Sequence, residues 1–247
     1  MSSVLPTAIL SALAQEQAGL IELLHNPRRV KRAGRDFWCG DLQGKPVVLA
    51  LSHIGKVAAA TTAAALIEGF GVGRVVFTGV AGGVGPGVQV GDVVVGTAFM
   101  QHDMNVAPLY PQFEIPLYRR ATFEADATLT ELLLQACASA LQPSPVVGYS
   151  ATVHQGLIAS GDRFVNGAQE VASLLQCLHS GGHHALAVDM ECAAVAQVCV
   201  DYGVPFAAVR TISDRADDSA HGDFLQFVNT VASVYARGIV LALTRTL

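Results

Sequence analysis

One stretch limits the fold more than any other. Residues 206–212, Phe-Ala-Ala-Val-Arg-Thr-Ile, run apolar and β-branched and stop abruptly at Ser213 and Asp214. Such a run reads as a buried strand, and its end carries Asp214 to a sheet edge, where loops build binding sites. The polar sequence Arg215-Ala216-Asp217-Asp218 follows. Taken alone, the carboxylate is also what a strand uses to start a loop. Val188-Asp189-Met190-Glu191 repeats the arrangement earlier in the chain. Two strand ends that each supply a carboxylate point to a site.

Alternation of element types sets the fold class. Strands are expected at Ala8–Leu13, Phe37–Cys39, Pro46–Leu51, Arg74–Thr78, Val93–Gly96, Val146–Ala159, Ala185–Val188 and Phe206–Ile212. Helices are expected at Gln15–Leu24, Lys56–Phe70, Leu129–Leu141, Glu170–Leu178, Met190–Tyr202 and Phe224–Arg245, with Gly71 and the pair Gly203, Pro205 as stops. Ala107–Leu117 holds three prolines and is excluded from regular helix. No repeat or linker interrupts the pattern. It predicts one α/β domain over residues 1–247, with a central, mixed but mostly parallel sheet between helices.

Composition narrows the function. Hydrophobic residues make up 51% of the 247 and charged residues 14%, against roughly 25% charged in an average globular protein. A large core is expected, with further apolar surface left for a subunit interface. No uncharged apolar run reaches the ~18 residues that span a bilayer, and residues 1–13 lack the basic start of a secretion signal. Net charge is −5, and the basic cluster Arg28, Arg29, Lys31, Arg32 and Arg35 reads as a solvated turn, so nucleic acid is not an expected partner. The five cysteines show no metal or disulfide spacing, with Cys192 and Cys199 on one helix face. This favours reduced thiols in the cytoplasm and neither metal nor cofactor.

The glycine-dense Gly79–Gly87 offers main chain to a ligand, since glycine permits close approach. It matches neither a dinucleotide-binding fingerprint nor a P-loop, and a tight turn between strands is the alternative. Glu16, Glu191 and Asp214 each fall just after an expected strand. A first-turn acid favoured by the helix dipole explains Glu16 or Glu191 singly; three acids at one sheet edge fit glycosidic chemistry better. Cleaving an N-glycosidic bond needs a proton for the leaving base, an anion beside the cationic sugar, and an activated water. Phe164, between Ser160-Gly161-Asp162-Arg163 and Val165-Asn166-Gly167, either stacks on a planar base or packs in the core. His179, His183 and His184 lack partners at metal-ligand spacing.

Six segments together resemble a known family. They are Ser52-His53-Ile54-Gly55-Lys56-Val57-Ala58-Ala59-Ala60, Thr78-Gly79-Val80-Ala81-Gly82-Gly83, Val90-Gly91-Asp92, Ser160-Gly161-Asp162, Val188-Asp189-Met190-Glu191 and Val209-Arg210-Thr211-Ile212-Ser213-Asp214. The chain resembles, nearly end to end, the bacterial 5′-methylthioadenosine/S-adenosylhomocysteine nucleosidases of the nucleoside phosphorylase superfamily. That resemblance implies a three-layer αβα sandwich acting as a homodimer on a small nucleoside. Glu16 would activate the attacking water, Glu191 would grip the ribose hydroxyls, and Asp214 would protonate N7 of adenine. Arg210 would place ribose and water. Phe164 would stack on the purine while the Val165 backbone reads its edge. Val80, Ala81, Gly82, Met190, Ser213, Leu13 and Ile54 would complete the substrate site, and Val106, Leu109 and Pro116 would form the apolar wall that a partner subunit supplies.

Three departures mark the chain. Val80 stands where many members carry Ser, His53 replaces a common Gly, and Leu13 a common Met. The lost hydroxyl at Val80 and the absence of Arg or Lys before Glu16 favour water over phosphate as nucleophile. Phosphorolysis, hydrolysis of aminofutalosine, and a catalytically silent storage protein are the competing expectations.

Overall fold

The structure, a computed structural model, describes residues 4–215 and 224–247; Ala216, Asp217 and Asp218 lie outside them. Ten strands form one mixed sheet. They are β1 (Thr7–Ser11), β2 (His25–Arg32), β3 (Arg35–Leu42), β4 (Lys45–Leu51), β5 (Arg74–Gly83), β6 (Val93–Gln101), β7 (Thr122–Glu124), β8 (Val153–Ser160), β9 (Ala185–Asp189) and β10 (Phe206–Asp214). The helices are α1 (Lys56–Phe70), α2 (Ala127–Leu141), α3 (Ala168–Ser180), α4 (Cys192–Tyr202), α5 (Phe224–Phe227) and α6 (Ser233–Thr246), with a π-helical turn, Val228–Ala232, joining the last two.

Strand order runs β10-β6-β8-β9-β5-β1-β4-β3-β2, and β10 also pairs with β5. Five strands thus close on themselves, and β1, β4, β3 and β2 extend from β5. Among the described pairings, β1–β4, β1–β5, β5–β10, β6–β8 and β8–β9 are parallel. The other five, β6–β10, β2–β3, β3–β4, β5–β9 and β6–β7, are antiparallel. The expected parallel majority is absent, because β2, β3 and β4 form a meander and β7, β9 and β10 each pair antiparallel with one neighbour.

Side-chain alternation sorts most of the core into two large clusters, and a third, with Met100, Ala159, Val165 and Leu178, lies towards α3. Ala8, Leu10, Val48, Ala50 and Ala208 pack with Ala59, Ala63 and Leu66 of α1 and Cys192, Val195 and Cys199 of α4. Their neighbours Ile9, Val47, Leu49, Ala207 and Val209 pack with Leu129 and Leu133 of α2 and Tyr235, Ile239 and Leu243 of α6. Successive strand residues point to opposite faces, so the two clusters lie on opposite sides of the sheet. Gly71 and Gly203 end α1 and α4 in the left-handed conformation, at φ 60° and 65°. Asp126 caps α2 by accepting from the Leu129 amide at 2.8 Å.

Several expected elements change. Gln15–Leu24 is two 3₁₀ turns, Ala14–Gln17 and Ile21–Leu23, rather than a helix. The basic cluster lies on β2 and the start of β3, an exposed hairpin arm, not on a turn. Residues 79–83 continue strand β5, so the glycine-dense segment is a loop only beyond Gly83. The strand expected from Val146 begins at Val153. No helix among the described residues is long and apolar enough to cross a membrane. All five cysteines are free thiols.

Candidate active site

A cavity of about 360 Å³ opens where the ends of β1, β5, β9 and β10 meet. Glu16, Glu191 and Asp214 all line it. So do Leu13, Ile54, Val80, Ala81, Gly82, Phe164, Val165, Met190 and Ser213, bringing together most of the residues singled out in the sequence.

Glu16 arrives on the 3₁₀ turn after β1 and is 2% exposed. Its Oε2 accepts from the amides of Ala12 and Leu13, both at 2.8 Å, and its Oε1 from the Val80 amide at 3.0 Å. The turn folds back so that the segment just after β1 and strand β5 both grip one carboxylate. Burial pushes its pKa up, against the opposing pull of Arg210 and the three amides, and the net shift is upward. A buried carboxylate with a raised pKa is a stronger base toward water.

Glu191 precedes α4 and accepts from the Gly55 amide at 2.9 Å through Oε1. Burial and the nearby Asp189 charge raise its pKa to about 7. Arg210 opposes this from 3.6 Å.

Asp214 ends β10. The register of β10 on β5 shifts between Ile212 and Asp214, which pairs Asp214 with Gly82 and leaves Ser213 as the extra residue. In a regular strand, neighbouring side chains point to opposite faces. The bulge instead lets both Ser213 and Asp214 line the cavity. Ser213 Oγ donates to Asp214 Oδ2 at 2.7 Å.

Phe164 is 44% exposed and lines the cavity beside buried Val165. Its ring meets Phe224 edge-on, with centroids 6.3 Å apart. Phe224 also lines the cavity, as does Arg163, which pairs with Glu170 at 2.7 Å. Neither was marked by any motif: Phe224 opens an ordinary helix, and Arg163 sits in loop sequence.

Arg210 differs from its expected place. It is fully buried and lies behind the cavity rather than on its lining. Its Nε and Nη2 donate to Asp189 Oδ2 at 2.9 and 2.8 Å, and its guanidinium stacks 4.1 Å from the centre of the Phe77 ring. Asp189 lines the cavity floor and also accepts from Ser160 Oγ and the Cys192 amide. Burial raises its pKa, but Arg210 and these hydrogen bonds outweigh that and hold it below the ordinary carboxylate value. Asp189 stands inside the Val188-Asp189-Met190-Glu191 segment, where the sequence by itself assigns it no separate role. Its signal was a carboxylate two residues before Glu191, at a strand end.

Val106, Leu109 and Pro116 are not brought to the cavity. Leu109 is 83% exposed, on the segment between β6 and β7. The rings of His179 and His184 lie 4.8 Å apart, and neither residue lines the cavity.

An acid-lined pocket at strand ends, faced by an aromatic ring, holds the groups that cleavage of an N-glycosidic bond requires. The phosphorylase superfamily model matches residues 6–245. A 5′-methylthioadenosine/S-adenosylhomocysteine nucleosidase of Exiguobacterium sp. is 40% identical over 216 residues, 87% of each chain. The chain superposes on the corresponding nucleosidase of Neisseria meningitidis, solved with methylthio-immucillin-A, with a TM-score of 0.87 and 37% identity, covering 98% of this chain and 99% of that one. The Colwellia psychrerythraea nucleosidase, solved with adenine, gives a TM-score of 0.89 at 32% identity over 99% and 96%. The chain belongs to the phosphorylase superfamily and, within it, to the 5′-methylthioadenosine/S-adenosylhomocysteine nucleosidase family.

Proposed function

We propose that this chain hydrolyses the N-glycosidic bond of 5′-methylthioadenosine and S-adenosylhomocysteine, releasing adenine and the 5′-thioribose. The observation that carries this reading is the meeting of Glu16, Glu191 and Asp214, from three separate elements, on one cavity. Asp214 supplies the proton to N7 of the departing adenine. Glu191, when ionised, holds the ribose hydroxyls and stabilises the developing ribosyl cation. Glu16 takes a proton from the water that attacks C1′, so water adds across the C1′–N9 bond. Phe164 stacks on the purine, and the Val165 backbone reads its edge. Arg210 acts from behind the lining, through Asp189 and its 3.6 Å approach to Glu191.

Water rather than phosphate is the nucleophile in this reading. Arg163, which lines the pocket, pairs with Glu170, and Arg210 behind the lining is held by Asp189. Val80 offers no hydroxyl, and the carboxylates disfavour a second anion. The architecture is read as a single three-layer αβα domain, supported by the two apolar clusters on opposite sheet faces. Exposed Leu109 and Leu117 support a homodimer in which the partner's Ala107–Leu117 segment covers the 5′-group. Freedom from disulfides supports a cytoplasmic setting.

Incubation with methylthioadenosine, with and without phosphate, tests the proposal. Free methylthioribose and adenine are expected in both. Methylthioribose 1-phosphate forming only with phosphate overturns hydrolysis, and a parallel incubation with aminofutalosine in which that compound alone is cleaved overturns the substrate.

A further inference from the structure

The cavity's base side and sugar side hang on neighbouring peptide groups. At the start of α1, the Gly55 amide donates to Glu191 Oε1 at 2.9 Å, and the next amide, Lys56, donates to Asp162 Oδ1 at 2.8 Å. Asp162 lies two residues before Phe164, so one helix start touches both halves of the site. The backbone at Gly55 has φ 97°, which side chains resist, and a Cβ there would stand 3.2 Å from Asp162 Oδ1.

A charged bridge fastens this junction from outside the cavity. Lys56 Nζ donates to Asp103 Oδ1 and, at 2.9 Å, to Gln101 Oε1. Asp103 Oδ2 in turn accepts from the Asp162 amide at 3.0 Å. Gln101 Nε2 continues to Gln197 Oε1 on α4 at 2.9 Å. Gly161 permits the close approach: a Cβ there would meet the His102 ring at 2.3 Å. Burial pushes the Asp103 carboxyl up, but Lys56 and the Asp162 amide outweigh it and keep it below the ordinary value. The side chains of Lys56 and Asp103 are 15% and 29% exposed, and Lys56, Asp103 and Asp162 do not line the cavity. Such a bridge costs side-chain entropy and contributes little to stability when partly exposed. Its geometry is directional, however, and it closes a loop through three elements: α1, the turn after β6 and the turn after β8.

We propose that Lys56, Asp103 and Asp162 are positioning residues that hold the base-facing pair Phe164 and Val165 in register with Glu191. This rests on the nucleosidase reading above. The latch fixes where the purine sits relative to the sugar carboxylate, so its loss acts on base binding before it acts on bond cleavage.

The test measures adenine affinity by calorimetry and steady-state kinetics on methylthioadenosine, for wild type, Asp103→Ala, Lys56→Met and the double variant. Each single variant is expected to weaken adenine about tenfold, because Phe164 and Val165 lose their fixed placement over the base. KM should rise more than kcat falls, and the double variant should be no worse than either single one. Asp103→Asn, nearly isosteric, provides the comparison should Asp103→Ala fold poorly, and Lys56→Arg should restore part of the affinity. Adenine affinity within twofold of wild type in Asp103→Asn and Lys56→Met overturns the latch while leaving the nucleosidase reading intact. A wild type that neither cleaves methylthioadenosine nor binds adenine overturns that reading, and the latch with it.

Discussion

Arg210 gives both Nε and Nη2 to a single oxygen of Asp189, at 2.9 and 2.8 Å, and reaches Glu191 only at 3.6 Å. One buried cation thus serves three buried carboxylates, Asp189, Glu191 and Glu16, and Asp189 takes most of it. The two it serves least are the two whose pKa values rise, Glu191 to about 7. The neglect has a chemical use: a carboxylate short of compensation seeks hydroxyl donors, which ribose and water supply.

The pH profile should show this. Glu191 must be ionised to stabilise the sugar cation, so kcat/KM should fall as pH drops through about 7. The raised pKa of Glu16 acts in the same direction. Measuring kcat/KM between acid and mildly alkaline pH checks this, and a flat profile through neutrality contradicts it.

The same shift has a cost in stability. The folded chain binds Glu191's proton more tightly than the unfolded chain, whose ordinary value is 4.5. The favourable contribution is complete below 4.5 and is lost as pH rises to about 7. Glu191→Gln stays neutral throughout. Relative to wild type it should gain about 3 kcal/mol between strongly acid and mildly alkaline pH, while activity drops. Denaturant unfolding at the two extremes measures it, and equal differences at both contradict the shift.

Asp214→Asn keeps size and some hydrogen bonding but cannot donate a carboxyl proton. Its kcat should fall by at least about 10²-fold with substrate binding less affected. Single-turnover kinetics separate the two. A kcat within threefold of wild type would remove the N7 role.

Gly79→Ala should be severe for a purely steric reason. The added Cβ would stand 2.2 Å from Arg210 Nη1 and 2.9 Å from Glu16 Oε1. Overpacking of this kind costs about 1–3 kcal/mol, and here it displaces two residues of the site. Both thermal stability and kcat/KM should fall. Gly87→Ala, with open space around its Cβ but φ 79°, should cost stability and leave kcat/KM near wild type.

Legibility followed locality. Asp214 and Glu191 stand out because buried apolar runs stop at them, and eight of the twelve named lining residues belong to the short segments; Leu13, Glu16, Phe164 and Val165 do not. Residues 79–83 were misread as loop because glycine signals turns. Here glycine fills strand positions whose side-chain space is already taken, by Arg210 and Glu16 at Gly79 and by Ile212 and Val88 at Gly83. Glu16 is expected on a helix, yet two amides just after β1 and one on β5 hold it on a 3₁₀ turn. The bulge at Ser213 was invisible because it arises from pairing with β5, a partner far away in sequence. Arg210's place behind the lining depends on Asp189, and that pairing spans two strands.

Strand β2 carries a consequence for how copies of this chain meet. It ends the sheet, lies almost wholly exposed, and sets Arg28, Arg29, Lys31 and Arg32 along its length, with Pro27 near its start. A second β2 approaching edge to edge would bring cation against cation and find one backbone donor missing. The molecule therefore guards its longest open seam against fibre-like growth, and leaves assembly to surfaces where contact stays finite.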